Sequence, residues 1–94
     1  MEAMPDTERF GLTQQIKRAA VSVPSNIAEG AARSSNKEFI RFLYFSNGSI
    51  AELLTQLELA TSLGFVTNEQ VTPIAERILE LQKMTYGLMK RMKE

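Results

Sequence analysis

Apolar residues recur along the chain at three- and four-residue intervals, which is the period of one face of an α-helix. The first such stripe predicts a helix over about residues 13–32, and its members are Ile16, Ala20, Val23 and Ile27. Thr13 is a favourable N-cap residue for this helix. Pro24 lies inside the stripe and predicts a bend, because proline removes one backbone hydrogen bond from a helix. Residues 1–12 show no such period and are predicted to be an irregular lead-in.

The second stripe predicts a helix over about residues 36–63. Its members, which alternate between four- and three-residue spacing as in a bundle helix, are Phe39, Leu43, Ser46, Ile50, Leu53, Leu57 and Ala60. Ser35 and Glu38 form a capping-box pattern at its start, and Gly64 is a natural residue to follow its end. Gly48 lies in the helix interior, where glycine costs about 1 kcal/mol relative to alanine. We therefore expect a neighbouring helix to approach closely at that position.

A heptad-spaced stripe predicts a third helix that runs to the C-terminal region. Its members are Ile74, Ile78, Leu81, Thr85, Leu88 and Met92. Two signals compete for its start. Thr67 with Gln70 forms a second capping-box pattern, which favours a bent helix over about residues 68–92. Pro73 favours a later start, since proline suits the first helical position. Because no strand pattern appears in the sequence, the predicted fold class is all-α.

Composition narrows the classes of function. The chain has 94 residues, enough for a single domain over residues 1–94. It contains no cysteine and no histidine, so thiolate chemistry, the commonest metal ligand and the commonest neutral-pH general base are absent. We therefore predict that the protein is not an enzyme and has no catalytic residues, cofactor, metal site or small-molecule substrate. The sequence lacks a long apolar run or a signal-peptide pattern, which predicts no membrane span and a cytoplasmic location.

The net charge of the chain does not indicate a partner, but one local group of basic residues does. Lysine and arginine number 11, and aspartate and glutamate also number 11, so net charge favours neither nucleic acid nor membrane. Lys37 and Arg41 are four residues apart on the second predicted helix, and Arg33 precedes its start. These three can form one positive ridge that is able to contact phosphates. Glu29 and Glu38 favour the alternative, a solvated face with intrahelical ion pairs.

The second predicted helix has more apolar residues than one stripe needs, which predicts burial on more than one side. A chain of this size has a thin stability margin, so an uncovered apolar face is expected to take a partner. The residues expected to contribute to a homo-oligomer interface are Phe42, Phe45, Leu54, Leu59, Tyr86 and Met89.

Three segments together resemble a known family. They are FGLTQQIKRAAVSVPSNIAEG over residues 10–30, the S-x-x-E-F-x-R-F-L pattern over residues 35–43, and GSIAELLTQLELA over residues 48–60. They occur in order and cover roughly half of the chain. On these segments the chain resembles the four-helix-bundle family of 23S rRNA intervening sequence proteins.

The resemblance implies an up-and-down helical bundle without enzymatic activity, in a family whose members associate as homopentamers. A related branch is the accessory protein of diversity-generating retroelements, which binds a reverse transcriptase and nucleic acid. Family members carry a full helix before the segment that begins at Phe10, so we expect the first family helix to be missing and three helices to remain. The basic residues that match basic positions of the family are Lys17, Arg18, Arg33 and Arg41.

Together, pattern and resemblance predict a non-enzymatic, homo-oligomeric helical-bundle scaffold or adaptor. The alternative is a module that binds RNA or a ribonucleoprotein through the basic residues.

Overall fold

The computed structural model describes residues 6–93, with the side chains of 8–93, and these residues form three helices without a strand. Helix α1 spans Asp6–Ala31, α2 spans Asn36–Ser62 and α3 spans Asn68–Lys93. The predicted all-α class is confirmed, and the second and third helices agree with their predicted bounds to within one residue at each end.

The prediction of an irregular lead-in is wrong for residues 6–12, which belong to α1, while residues 1–5 lie outside the described part of the chain. Thr13 does not cap the helix, because its hydroxyl donates to the backbone carbonyl of Arg9 at 2.8 Å, one turn back. The Arg9 guanidinium lies 5.2 Å from the centroid of the Phe65 ring in the α2–α3 connection. This contact ties the first turns of α1 to the rest of the molecule, which local propensity alone does not anticipate.

Helices α2 and α3 both begin at the predicted capping patterns. The Ser35 hydroxyl accepts the backbone N–H of Glu38 at 3.2 Å at the start of α2. Thr67 and Gln70 form a complete capping box, with each side chain accepting the other's backbone N–H at 3.1 and 3.0 Å. Helix α3 therefore begins at Asn68, in agreement with the first of the two predicted starts. After α2, Gly64 has a φ of 80°, a left-handed conformation that glycine adopts without strain.

Helices α1 and α2 pack closely near the corner that joins them. Gly30 is buried there, and a Cβ atom at this position would lie 2.7 Å from the Cβ of Phe42 and 2.9 Å from a ring carbon of Phe39. Gly48 is different, because a Cβ there would meet no atom within 4 Å. The prediction that a neighbouring helix approaches Gly48 is therefore wrong for this chain, and the close approach occurs at Gly30.

Small polar side chains fill the α1–α2 contact. The Ser46 hydroxyl donates to the backbone carbonyl of Val23 at 2.9 Å, next to Pro24, which lies inside α1. The hydroxyls of Ser22 and Ser49 are hydrogen-bonded at 2.7 Å. Because buried polar groups are costly unless they are paired, these bonds fix the register in which α1 and α2 pack.

The α2–α3 contact contains a second buried polar group. The Thr85 hydroxyl donates to the side-chain oxygen of Asn47 at 2.6 Å, and the Asn47 amide contacts the sulfur of Met89 at 3.5 Å. All three residues are at most 5% exposed.

Both outer helices pack on α2, and among the described residues no Cα atom of α1 lies within 8 Å of one in α3. Residues of all three helices, among them Val23, Ile50 and Ile78, line one common cavity, so α1 and α3 lie toward the same side of α2 and form a V. The radius of gyration is 15.5 Å, compared with about 12 Å for a compact chain of this length, because the molecule is 51 Å long. Since α1 and α3 do not contact each other within the described residues, the inner side of the V is open.

Candidate interaction surfaces

The inner side of the V is an apolar groove between α1 and α3 with α2 as its floor, here named the α1–α3 groove. It contains two cavities of about 360 and 590 Å³. The floor residues are Leu43, Ile50 and Leu53; the α1 wall has Ala20, Val23, Pro24 and Ile27; the α3 wall has Ile78, Leu81, Met84 and Leu88. The floor is buried, whereas Met84 on the wall is 64% exposed. The chain therefore covers the base of this groove and leaves its rim open to solvent.

Charged side chains at the rim are mostly cationic. Arg91 lines the groove directly. Arg77 precedes Met84 by seven residues and Lys17 precedes Pro24 by seven, so each lies on the groove side of its helix. Among the carboxylates of α3, Glu80 is the nearest to Met84 in helical spacing, since it lies one turn before it. Arg77 also lines a cleft with Glu76 and Glu80, so carboxylates offset part of the positive charge on the α3 side of the rim.

The opposite side of α2 is a continuous solvent-facing stripe, here named the outer α2 face. Its members, all exposed and again spaced by four and three, are Arg41, Phe45, Gly48, Glu52, Thr55 and Leu59. Phe45 is 46% exposed and Leu59 is 47% exposed. Gly48 lies between them with open space where a side chain would be. A second protein surface can therefore approach the α2 backbone there, between two large apolar side chains.

The six residues expected at a homo-oligomer interface do not form one surface of the single chain. Phe45 and Leu59 lie on the outer α2 face. Tyr86 is 51% exposed on α3, and Leu54 is half-buried beside Leu79 in a cleft between α2 and α3. Met89 is only 3% exposed, since it is buried in the α2–α3 contact and is not offered at the surface of the single chain.

The sixth of these residues, Phe42, is half-buried at the centre of an aromatic and cationic cluster at the α1–α2 corner. The Phe42 and Phe45 rings meet edge to face, with centroids 5.5 Å apart. The Arg33 guanidinium lies 4.9 Å from the Phe42 centroid, and that of Arg41 lies 5.5 Å from both rings. Guanidinium groups at these distances are attracted to the ring faces. We name Arg33, Arg41, Phe42 and Phe45 the corner cluster.

Each arginine of the corner cluster also has a carboxylate partner. Glu29 pairs with Arg33 at 2.9 Å, and Glu38 pairs with Arg41 at 3.1 Å. The intrahelical pairs that the spacing favoured are therefore present. They neutralise part of the positive ridge, while all four side chains stay substantially exposed.

The five basic residues predicted to bind nucleic acid do not lie on one surface. Arg33 and Arg41 meet over one ring, and Lys37 lies one turn before Arg41 on α2. Lys17 is on the groove side of α1, whereas Arg18 lies 13 residues before Ala31, the last residue of α1, which is about 20 Å from the corner at 1.5 Å per residue. A single ligand at the corner therefore meets three of the five.

Sequence reasoning did not find the aromatic half of the corner cluster or a similar contact at the other side of α2. There, the Lys93 ammonium donates to the Tyr44 hydroxyl at 2.7 Å and lies 5.0 Å from its ring centroid. The two residues are 49 positions apart, so no local spacing relates them. The excess of aromatic residues on α2 was the available signal.

These features define a class of small, all-helical protein whose most distinct surfaces are an apolar groove and an exposed aromatic stripe. A family model described as 23S rRNA-intervening sequence protein matches residues 1–87. The chain belongs to this family, as the resemblance predicted. Among curated proteins, none matches the chain significantly. Within the described residues, none of the three helices has the length and apolar character that crossing a membrane needs.

Proposed function

We propose that this protein is a non-enzymatic, homo-oligomeric scaffold of the helical-bundle type that acts in the cytoplasm. The observation that carries the proposal is the outer α2 face, where Phe45 and Leu59 are each nearly half exposed on either side of Gly48. Exposed apolar side chains lower the free energy of association when a partner surface covers them.

The glycine strengthens this argument. Glycine costs about 1 kcal/mol relative to alanine inside a helix, and within this chain nothing packs against Gly48. A second copy that approaches there would gain backbone contact that any side chain would prevent. The balanced charge of the chain opposes such self-association only weakly. The family resemblance supplies the expected number of copies, which is five.

The first test replaces the two apolar residues of this face with charge. The wild-type chain is expected to have an oligomeric mass at micromolar concentration in light scattering. The double variant Phe45→Glu with Leu59→Glu is expected to be monomeric, because association would bury two carboxylates without partners.

The matched control is Val21→Glu, since Val21 is 64% exposed on α1 and away from the outer α2 face. It is expected to keep the wild-type mass. A wild-type chain that is strictly monomeric at micromolar concentration, or a double variant that keeps its oligomeric mass, would contradict the proposal.

RNA binding is the second candidate, and the corner cluster favours it. Nucleic-acid bases stack on exposed aromatic rings, and arginine contacts both bases and phosphates. The carboxylates of Glu29 and Glu38 oppose this role, because each already pairs with one arginine of the cluster.

A salt titration with a single-stranded oligoribonucleotide tests this second candidate. Arg33→Ala with Arg41→Ala is expected to weaken binding and to flatten the dependence of log affinity on log salt by about 1.4, or about 0.7 for each lost phosphate contact. The control, Lys83→Ala with Lys90→Ala, removes the same charge from α3 and is expected to leave that slope near its wild-type value. Equal slopes for wild type and the Arg33 and Arg41 variant would exclude the corner cluster as an RNA site.

A further inference from the structure

We infer that the RNA site of the corner cluster continues across the outer side of α2 to Tyr44 and Lys93, and that its ligand is a single strand whose bases stack on the rings along this path. The inference rests on the second candidate function, RNA binding at the corner cluster, and adds a second half to that site. Three features of the structure support it: the positions of three aromatic rings, the cations beside them and the exposure of Tyr44.

Three aromatic rings follow one another around the outer side of α2. Phe42, Tyr44 and Phe45 all belong to the first ten residues of this helix. Because successive residues of an α-helix are rotated by about 100°, Tyr44 and Phe42 lie on opposite sides of Phe45, at about 100° and about 60° from it. The rings therefore span nearly half of the circumference, which is an arc of about 15 Å for a helix about 10–12 Å in diameter.

A cation lies beside each ring. The two rings of the corner cluster have arginine guanidinium groups 4.9 and 5.5 Å from their centroids. At the other end of the arc, the Lys93 ammonium lies 5.0 Å from the Tyr44 centroid. Sites for single-stranded nucleic acid combine positive groups along the backbone with aromatic rings on which the bases stack. We name the corner cluster together with Tyr44 and Lys93 the aromatic band.

Lys93 supplies positive charge that the corner cluster offers only in part. Glu29 pairs with Arg33 and Glu38 pairs with Arg41, whereas neither ion pair within the described residues involves Lys93. One N–H group of the ammonium donates to the Tyr44 hydroxyl. Since a lysine ammonium has three N–H donors, two are left for phosphate oxygens.

The Tyr44 ring is held in place and is open to solvent. Its hydroxyl oxygen accepts the Lys93 ammonium at 2.7 Å, so the ammonium lies at the hydroxyl edge of the ring and not across the middle of its face. Tyr44 is 50% exposed even with this contact. A ring that is fixed before the ligand arrives lowers the ordering cost of binding. A base can therefore stack on Tyr44 while a neighbouring phosphate contacts Lys93.

The rings decide which nucleic acid fits. Stacking on protein side chains requires bases that are splayed out, as in single-stranded loops and ends, whereas an A-form duplex keeps its bases inside the helix. The chain has no net charge, so it does not attract polyanions in general. The favoured ligand is therefore a short single strand held by local stacking and phosphate contacts, and binding should tolerate changes of base sequence.

Fluorescence anisotropy with the full-length protein and a labelled oligouridylate of about eight nucleotides tests the role of Tyr44. Tyr44→Ala is expected to bind at least about fivefold more weakly, because the stacking of one base is lost. Tyr44→Phe keeps the ring and is expected to bind close to wild type. The matched control is Tyr86→Ala, since Tyr86 is 51% exposed on α3 outside the aromatic band. Equal affinities of Tyr44→Ala and Tyr86→Ala, with circular dichroism showing both folded, would overturn the inference.

The form of the ligand is tested with a blunt, fully paired RNA duplex, which is expected to bind more weakly than the single strand. Tighter binding of the duplex would overturn the inference, because paired bases are not free to stack on the rings.

Tyrosine fluorescence reports the stacking directly. Tyr44 and Tyr86 are the two tyrosines of the chain, which has no tryptophan. Tyr86→Phe leaves Tyr44 as the single emitter, and Tyr44→Phe leaves Tyr86. At the same saturation, the single strand is expected to quench the emission of Tyr86→Phe more strongly than that of Tyr44→Phe. Equal quenching of the two variants would contradict stacking on Tyr44.

A salt titration of Lys93→Ala separates this inference from the candidate function on which it rests. The variant is expected to flatten the dependence of log affinity on log salt by about 0.7, in addition to the change expected for Arg33→Ala with Arg41→Ala. If the two-arginine variant weakens binding while Tyr44→Ala and Lys93→Ala bind like wild type, the corner cluster is the whole RNA site and the extension is wrong. A wild-type chain that binds no single-stranded RNA contradicts both. If Tyr44→Ala lowers the oligomeric mass in light scattering without changing RNA affinity, a second copy covers Tyr44 and the inference is wrong.

Discussion

Gly30→Ala is expected to lower the free energy of unfolding by about 2 kcal/mol. The added Cβ would lie 2.7 Å from the Cβ of Phe42 and 3.2 Å from the backbone oxygen of Phe39. Neither atom is the end of a flexible side chain, so relief requires the helices to move apart. Overpacking of this kind costs about 1–3 kcal/mol or more, which outweighs the gain of up to about 1 kcal/mol in helix propensity.

Gly48→Ala is the control, and its effect should have the opposite sign. A Cβ at this position meets nothing within 4 Å in the chain, so only the propensity gain of about 1 kcal/mol remains. Urea unfolding of both variants is followed by far-UV circular dichroism in the monomeric Phe45→Glu and Leu59→Glu background, because a second copy would pack on Gly48 in the proposed oligomer. Equal stability of Gly30→Ala and Gly48→Ala would contradict the close α1–α2 packing described above.

These two glycines show where sequence reasoning succeeds and where it fails. Helix bounds at Ser35, Thr67 and Gly64 were predictable because a cap is decided by residues three or four positions apart. Which of two mid-helix glycines faces another helix depends on how the helices rotate about their axes. The cost of glycine in a helix interior suggested close packing at Gly48, yet no other part of the described chain lies within 4 Å of a Cβ placed there.

The start of α1 was missed for a related reason. Gly11 and the absence of a repeating stripe made residues 6–12 appear irregular, and glycine does weaken a helix locally. The contact between Arg9 and Phe65 joins residues that are 56 positions apart. Tertiary contacts of this range override local propensity and leave no periodic signal.

The candidate surfaces were likewise predictable where they depend on local spacing and not where they depend on the packing of different helices. The Glu29–Arg33 pair was visible in the spacing, and so was the excess of apolar residues on α2. The corner cluster was visible only in part, because Arg33 reaches the Phe42 ring across the connection between α1 and α2. The α1–α3 groove needs the arrangement of all three helices, since each wall taken alone is an ordinary amphipathic stripe.

Ile50→Ala is expected to lower the free energy of unfolding by about 3 kcal/mol. Ile50 is fully buried on α2, where it forms part of the groove floor beneath Val23 and Ile78 on the two walls. Removing three carbon atoms there loses their transfer free energy and leaves an enlarged cavity, since the flanking helices collapse only partly.

Ile74→Ala is the matched control, with the same chemical change on α3. Ile74 is 51% exposed, so its loss should change stability by no more than about 0.5 kcal/mol, partly because alanine is the better helix former. Both isoleucines belong to predicted apolar stripes, and only their packing separates them. If the two variants lost equal stability in urea unfolding at the same protein concentration, Ile74 would have to be covered in solution by another surface. The same comparison in the Phe45→Glu and Leu59→Glu background, which is monomeric, separates two explanations. If Ile74→Ala still lost as much stability as Ile50→Ala there, no second copy would be present to cover Ile74, and the V arrangement would be contradicted.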